Sequence, residues 1–257
     1  MIVIIMAGGL GKRMESDLPK VLHQVVSPEN INIEYPMLVH VINTSIKLNP
    51  TKIFIIVGKY KNIIEEIINK YINSNDLIEY VMQEPALGTG HAIKCCLPYI
   101  SSYYNERAII LSGDVPLISI DTLKGLDGEI NKLLITELEY PYGCGRILFN
   151  DETNKIIGIK EEKDCNDDER KINFVNCGIY QIAVKDLLNL IPLIGNENKS
   201  NEYYLTDIIY LMIEKSITID TFVLEKYSQW EIKNVNTKKD LESLNTYIKK
   251  NKYSVQI

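Results

Sequence analysis

Ile2-Val3-Ile4-Ile5-Met6-Ala7-Gly8-Gly9-Leu10-Gly11-Lys12-Arg13-Met14 opens the chain. A short β-branched apolar run that stops at a glycine cluster reads as a buried strand delivering the backbone into a tight turn. Glycines at positions 8, 9 and 11 leave backbone N–H groups uncovered. Such a turn forms a concave anion site, and Lys12 and Arg13 supply positive charge beside it. A polyphosphate is the natural guest. Two familiar phosphate loops are excluded by single residues. A Walker A loop needs Ser or Thr after its lysine, and Arg13 follows Lys12; a dinucleotide fingerprint needs a third glycine where Met14 stands.

Outward from this loop, strand and helix signals alternate. Apolar runs at 52–57, 78–82 and 108–111 read as strands, and helical patterns cover 36–48, 62–71 and 89–97. Continuous β-branched strands separated by helices predict an α/β fold with a parallel sheet covered on both faces, whose ligands collect at the strands' carboxyl ends. The residues after these strands are polar or glycine: Gly8-Gly9, Gln83 and Ser112-Gly113-Asp114. Past residue 133 the pattern is less regular, with strands expected at 133–139, 156–160, 174–182 and 219–224 and helices at 203–214 and 238–249. Segments 27–35 and 164–171 read as loops. Insertions among the later strands predict a lid for a second ligand.

With 257 residues, 46% apolar and 24% charged, the chain can bury a proper core, as one large α/β domain or as a core with an appendage. The net charge of −6 argues against a general nucleic-acid binder, and no apolar run approaches the ~20 residues of a membrane span. An anionic ligand must then be held by locally concentrated cations, which places weight on Lys12, Arg13 and Lys20. The first residues carry neither the basic region nor the small-residue cleavage site of a secretory signal. Five cysteines, an odd number without C-x-x-C spacing, suit a reducing, cytoplasmic setting. The three histidines offer no recognisable zinc spacing, so any metal is expected to be a hard cation with oxygen ligands.

Asp114, just past a strand, can hold Mg²⁺ at the sheet's carboxyl edge, or can simply shape a turn with Gly113. In Leu87-Gly88-Thr89-Gly90-His91-Ala92 the glycines permit close approach to a ligand, and Thr89 is expected to cap the helix that follows. The Gln83 amide offers a donor and an acceptor to a base edge. His91 is expected to be structural.

Beyond these readings lies a resemblance. The glycine loop, Ser16-Asp17-Leu18-Pro19-Lys20-Val21-Leu22-His23, the Leu87–Ala92 run and Gly113-Asp114-Val115-Pro116-Leu117-Ile118 are similar to the sugar-phosphate nucleotidyltransferases. Within that family they resemble the uridylyltransferases of N-acetylglucosamine 1-phosphate. Gly145-Arg146-Ile147, Gly158-Ile159-Lys160-Glu161-Glu162-Lys163-Asp164, Val175-Asn176-Cys177-Gly178-Ile179, Glu202-Tyr203-Tyr204-Leu205-Thr206-Asp207-Ile208-Ile209 and Asn234-Val235-Asn236 continue the match to about residue 247. The resemblance implies a Rossmann-like mixed, mostly parallel sheet covered by helices, with a smaller sugar-binding lid from the second half. It implies one domain over 1–257, in which 1–125 mainly bind nucleotide, 126–230 mainly bind sugar, and 231–257 hold a metal-ligand segment and the last helix.

By the same resemblance, Arg13 and Lys20 act on the phosphates, and Ala7, Gly8, Gly9, Gly11 and Lys12 hold the triphosphate. Gln83, Gly88 and Thr89 read the uracil side, Gly145, Glu161 and Asn176 bind the amino sugar, and Asp114 and Asn236 hold Mg²⁺. The substrates implied are UTP and N-acetylglucosamine 1-phosphate, with no nucleic-acid or membrane partner and a monomer or homodimer. Bifunctional members carry a hexapeptide-repeat acetyltransferase domain; no such repeat occurs here, so no acetyl transfer is expected. The chain departs from the family at Cys144 (a Tyr elsewhere), Cys177 (a small hydroxyl residue elsewhere), Asn234 (usually Gly) and the longer 27–35 loop. Two rivals are the same chemistry on another sugar phosphate or nucleotide, and a non-catalytic nucleotide-sugar sensor. The sensor should have lost Arg13, Lys20 or Asp114, and all three are present.

Overall fold

In a computed structural model that describes residues 1–9, 11–73 and 76–253, the side chains of Lys12, Lys252 and Tyr253 excepted, the opening strand lies inside the molecule. Ile2, Val3, Ile4 and Ile5 of β1 (Ile2–Met6) are all fully buried. Ile2 and Ile4 enter one core, while Val3 and Ile5 enter a second core on the other face. A strand covered on both faces has no solvent-facing positions, which is why its sequence is a continuous apolar run rather than an alternation. Each such side chain contributes ~1.5–3 kcal/mol through burial.

The chain continues through β2 (Gln24–Val26), β3 (Glu34–Pro36), α1 (Met37–Ile46), β4 (Lys52–Val57), α2 (Lys61–Ile68), β5 (Ile78–Met82), α3 (Thr89–Ile100), β6 (Arg107–Ser112) and α4 (Ile120–Leu126). It then forms β7 (Asn131–Glu137), β8 (Arg146–Phe149), β9 (Ile156–Lys160), β10 (Phe174–Ala183), α5 (Val184–Leu190), α6 (Ile208–Glu214), β11 (Ile219–Val223) and α7 (Lys238–Tyr253). The main sheet has the order β11-β7-β10-β6-β1-β4-β5, and β8 and β9 extend from β10. Strands β6, β1, β4 and β5 are mutually parallel, and β11 is parallel to β7. Strand β10 runs antiparallel to both β6 and β7 and so joins the two parallel groups. The expected mixed, mostly parallel sheet with helices on both faces is the observed one.

Helices α3, α5 and α6 pack on one face, and α1, α2 and α4 on the other. A third apolar cluster joins Val25, Val26 and Met37 to Leu117, Val235, Leu244 and Ile248. It fastens α7 to the β2–β3 hairpin and to the segment just past β6, and thereby draws Val235 and Leu117 together from distant parts of the chain.

The structure corrects several sequence expectations. The helix expected at 203–214 starts only at Ile208, after a 3₁₀ turn over Leu205–Asp207. The cause is tertiary: the Tyr203 N–H donates to the Leu87 carbonyl at 2.9 Å and the Tyr203 carbonyl accepts from Gly90 at 2.7 Å, so this backbone serves another segment. The 27–35 loop is shorter than expected, because Glu34 and Tyr35 already pair with Val26 and Val25. The 164–171 segment contains a 3₁₀ turn at Glu169–Lys171 and buries Cys165. Elements β2, β8, α4 and α5 have no counterpart in the sequence reading.

Candidate active site

The parallel strands end at one edge of the sheet, and a cavity of about 730 Å³ opens there. Ala7, Gly8, Gly9, Gly11, Arg13, Lys20, Gln83, Gly88, Thr89 and Asp114 all line it. The Lys12 side chain lies outside the described residues. The glycines answer different steric demands. A Cβ on Gly8 would stand 3.0 Å from the Gln83 Oε1. Gly11 has φ of +58°, and a Cβ there would meet the Lys20 Cβ at 2.7 Å. A Cβ on Gly9 would meet nothing within 4 Å among the described residues, as suits an anion-receiving backbone position.

Arg13, Lys20 and Asp114 of this cavity form one cluster with Asn236. Lys20 is ion-paired with the Asp114 Oδ2. The Lys20 Nζ also donates to the Asn236 Oδ1 at 3.2 Å, and that oxygen accepts from the Arg13 Nη2 at 3.1 Å. The other Asp114 oxygen accepts from the Ser112 hydroxyl at 2.6 Å. The 236 segment is tied to the β6 edge because the Val235 N–H donates to the Asp114 carbonyl at 3.1 Å. Asp240 holds it from the other side, accepting from the Asn236 and Thr237 N–H groups at 3.0 and 2.8 Å, while its own N–H donates to the Thr237 hydroxyl. This is a capping box at the start of α7, with Thr237 and Asp240 three residues apart. Burial works against ionisation of Asp240, but the hydrogen bonds from Thr237 and Asn236 outweigh it and hold the carboxyl below its usual range.

The 87–90 turn differs in detail from the sequence reading. Gly88, with φ of +112°, occupies the cap position of α3, and Thr89 is the first helical residue. The Thr89 hydroxyl accepts from the Leu205 N–H at 3.0 Å, so it anchors a neighbouring segment rather than capping its own helix. A Cβ on Gly88 would lie 2.5 Å from the Tyr203 carbonyl oxygen. Gln83 is buried and commits one N–H to the Gly88 carbonyl at 2.9 Å. His91 stays outside the cluster and packs beside Tyr203.

Gly145, Glu161 and Asn176 also come together, at the second-half end of the same edge. The Asn176 N–H donates to the Gly145 carbonyl at 2.9 Å, and the Glu161 carboxylate lies 3.6 Å from where a Gly145 Cβ would stand. Glu161 lines a neighbouring cavity of about 360 Å³ together with Asp164, Tyr204 and Asp207. Burial pushes the Glu161 carboxyl up, the Thr206 hydroxyl bonded to it at 2.9 Å acts in the opposite sense, and the nearby carboxylates of Asp207, Asp164 and Glu202 add to the rise. Two segments wall both cavities: Lys163 and Glu202 line the first, Glu161 and Tyr204 the second. Burial raises all five thiols, so none is set up as a thiolate nucleophile.

The sequence reading gave no role to Asp240, Lys163, Glu202 or Thr206, and named Ser112 only as part of the polar end of its strand. A signal existed for Asp240, in Thr237-Lys238-Lys239-Asp240, and for Thr206, inside the run already matched to the family.

An anion cradle of glycine backbone and convergent cations, at the carboxyl edge of such a sheet, defines a nucleotide-handling transferase. The chain belongs to the MobA-like NTP transferase domain family, whose model matches residues 3–132. It is 44% identical over 254 residues to the protein named "Probable UDP-N-acetylglucosamine pyrophosphorylase" of Acanthamoeba polyphaga mimivirus, with 96% of each chain covered. It is 39% identical over 246 residues to "Bifunctional protein GlmU" of Nitrosomonas europaea, covering 94% of this chain and 50% of that protein. The chain thus spans nearly the whole viral relative and about half of the bifunctional one. The solved inositol-1-phosphate CTP transferase of T. maritima superposes with a TM-score of 0.68 over 96% of both chains at 17% identity, a likeness of fold. No helix among the described residues is long and apolar enough to cross a membrane.

Proposed function

We propose that the protein transfers the uridylyl group of UTP to N-acetylglucosamine 1-phosphate, forming UDP-N-acetylglucosamine and pyrophosphate. The observation that carries this reading is the Arg13–Asn236–Lys20–Asp114 cluster at the mouth of the glycine loop. The sugar phosphate oxygen attacks the α-phosphorus in line and pyrophosphate leaves. The attacking phosphate is ionised at neutral pH, so neither a side-chain base nor an enzyme nucleophile is required. Two anions must be brought together, and charge neutralisation with alignment is then the main catalytic contribution. Arg13 and Lys20 supply the charge, and the N–H groups of the 7–11 turn receive the triphosphate. Gln83, Gly88 and Thr89 form the wall assigned to uracil; Gly145, Glu161 and Asn176 are assigned to the amino sugar.

Asp114 and Asn236 are the residues that would hold Mg²⁺. Their donor set fits a hard cation: two oxygens aimed at one point, where an ammonium already makes contact with both. When bound, the ion would neutralise phosphate charge. Residues 1–125 are assigned mainly to nucleotide, 126–230 mainly to sugar and 231–257 to the metal-ligand segment and last helix of a single cytoplasmic domain, acting as a monomer or homodimer.

The test is pyrophosphate release with Mg²⁺ and UTP, comparing N-acetylglucosamine 1-phosphate with glucose 1-phosphate and omitting each component in turn. Fast release that depends on the N-acetylated sugar is the expected result. Preference for another sugar would keep the chemistry and overturn the roles of Glu161 and Asn176; no release with any pair would overturn the enzyme.

A further inference from the structure

We infer that Lys20 is a built-in stand-in for the metal, which closes the Asp114–Asn236 site until nucleotide phosphates draw the ammonium away. This rests on the metal ligands proposed above and adds an order of assembly to them. The Lys20 Nζ contacts the Asp114 Oδ2 and the Asn236 Oδ1 together. Arg13 reinforces the arrangement by donating to the same Asn236 oxygen. Ser112 holds the other Asp114 oxygen and Asp240 holds the Asn236 backbone, so the two segments that carry the oxygens are anchored independently of Lys20. Lys20 itself has a long flexible stem and its side chain is 15% exposed, at the wall of the cavity.

An ammonium and a divalent cation cannot share one pair of oxygens. A triphosphate in the adjacent cradle competes for the ammonium and frees the pair. Metal and nucleotide are therefore coupled: each favours the other through the one movable lysine, and by linkage the coupling is reciprocal. The metal alone meets a filled site, and nucleotide without metal leaves the Asp114 carboxylate unneutralised beside its phosphates.

The experiment uses the full chain and Mn²⁺ as the probe, read from loss of the free-ion electron paramagnetic resonance signal. Without nucleotide, K20M is expected to bind Mn²⁺ about tenfold more tightly than the unmodified protein, a coupling of ordinary size for linked sites. The gain should vanish in K20M/D114N, and α,β-methylene-UTP should bring the unmodified protein close to K20M. Equal or weaker Mn²⁺ binding by K20M, with D114N still lowering affinity in the presence of the analogue, overturns the role of Lys20 and leaves the metal site standing. A D114N chain whose Mn²⁺ binding is unchanged with the analogue overturns the metal site, and this inference with it. If K20M does not fold, as judged by circular dichroism, the unmodified protein decides: protein-bound Mn²⁺ that is equally tight with and without the analogue overturns the inference.

Discussion

The two cavities at the sheet edge share walls but are built by different means. The larger one is shaped by backbone: glycine turns after β1 and before α3, with Arg13, Lys20 and Lys163 as its cations. The smaller one is shaped by side chains and is crowded with carboxylates, Glu161, Asp164, Glu197 and Asp207, against a single Lys160. A triphosphate suits the first and would be repelled by the second, whereas a neutral polyol that donates hydroxyl hydrogens suits the second. On the proposed function, the two cavities would separate phosphates from sugar hydroxyls by charge as well as by shape.

The strongest way to break this contrast is at the cationic end. Arg13→Ala and Lys20→Ala should each lower turnover about a hundredfold, roughly 3 kcal/mol of transition-state stabilisation. Pyrophosphate release at near-normal rates in both purified variants would remove the basis for the phosphate assignment. Next in size is the backbone dependence of the same cavity. Gly88→Ala, at φ of +112° and against the Tyr203 carbonyl, should cost ~1–3 kcal/mol of stability in urea unfolding. Gly9→Ala, which meets none of the described residues, should stay within about 0.5 kcal/mol; equal losses at both positions would contradict the steric account.

The acidic end gives a prediction of opposite sign for stability and function. The Glu161 carboxyl is raised in the folded chain, so its protonated form is the one folding favours, and stability is lost as pH climbs through the folded-state value. Glu161→Gln should therefore raise the thermal midpoint at neutral pH, with the gain shrinking toward and below the ordinary carboxylate range. The same variant should raise KM for the sugar phosphate about tenfold, the size of a lost charged hydrogen bond, with little change for UTP. A midpoint difference that is flat with pH, or a KM effect shared by both substrates, would count against the division. The smallest effect is expected at Asp240. Asp240→Ala should cost about 1 kcal/mol of stability through the lost cap and raise the Mg²⁺ concentration needed for half-maximal rate, while Asp240→Asn, which keeps an acceptor, should do less of both.

The same division explains what was legible in the sequence. Strand β1, buried on both faces, announces itself as a continuous apolar run, and the turns at strand ends carry glycines that no other pressure would place there. The bounds of β4, β5 and β9 agree with the sequence reading to the residue. Contacts between distant segments leave no such local trace. Thr89 reads as a helix cap because Thr caps helices, yet its hydroxyl serves Leu205, and Tyr203 lies in a helical pattern whose backbone is bonded to the 87–90 turn. The Gly145–Glu161–Asn176 grouping came from family resemblance; its spacing in the chain carries no signal of its own.

Strand β10 has a consequence for how the enzyme accommodates its substrates. Its later part, Tyr180 to Ala183, is hydrogen-bonded to β6, and its earlier part carries Asn176 to the end assigned above to the sugar. Between them Asn176 faces Ile135 and Tyr180 faces Leu133, so residues 177–179 bulge against Leu134, with Gly178 at φ of +72°. One covalent strand is therefore bonded to β6, which ends beside Asp114, and to β8, which begins beside Gly145, and on the proposed assignment it sets the spacing between the nucleotide and sugar regions like the gauge of a track. Selectivity among sugars must be adjusted by side chains and by the 138–145 turn, because a hinge between the halves would have to tear β10 out of the sheet.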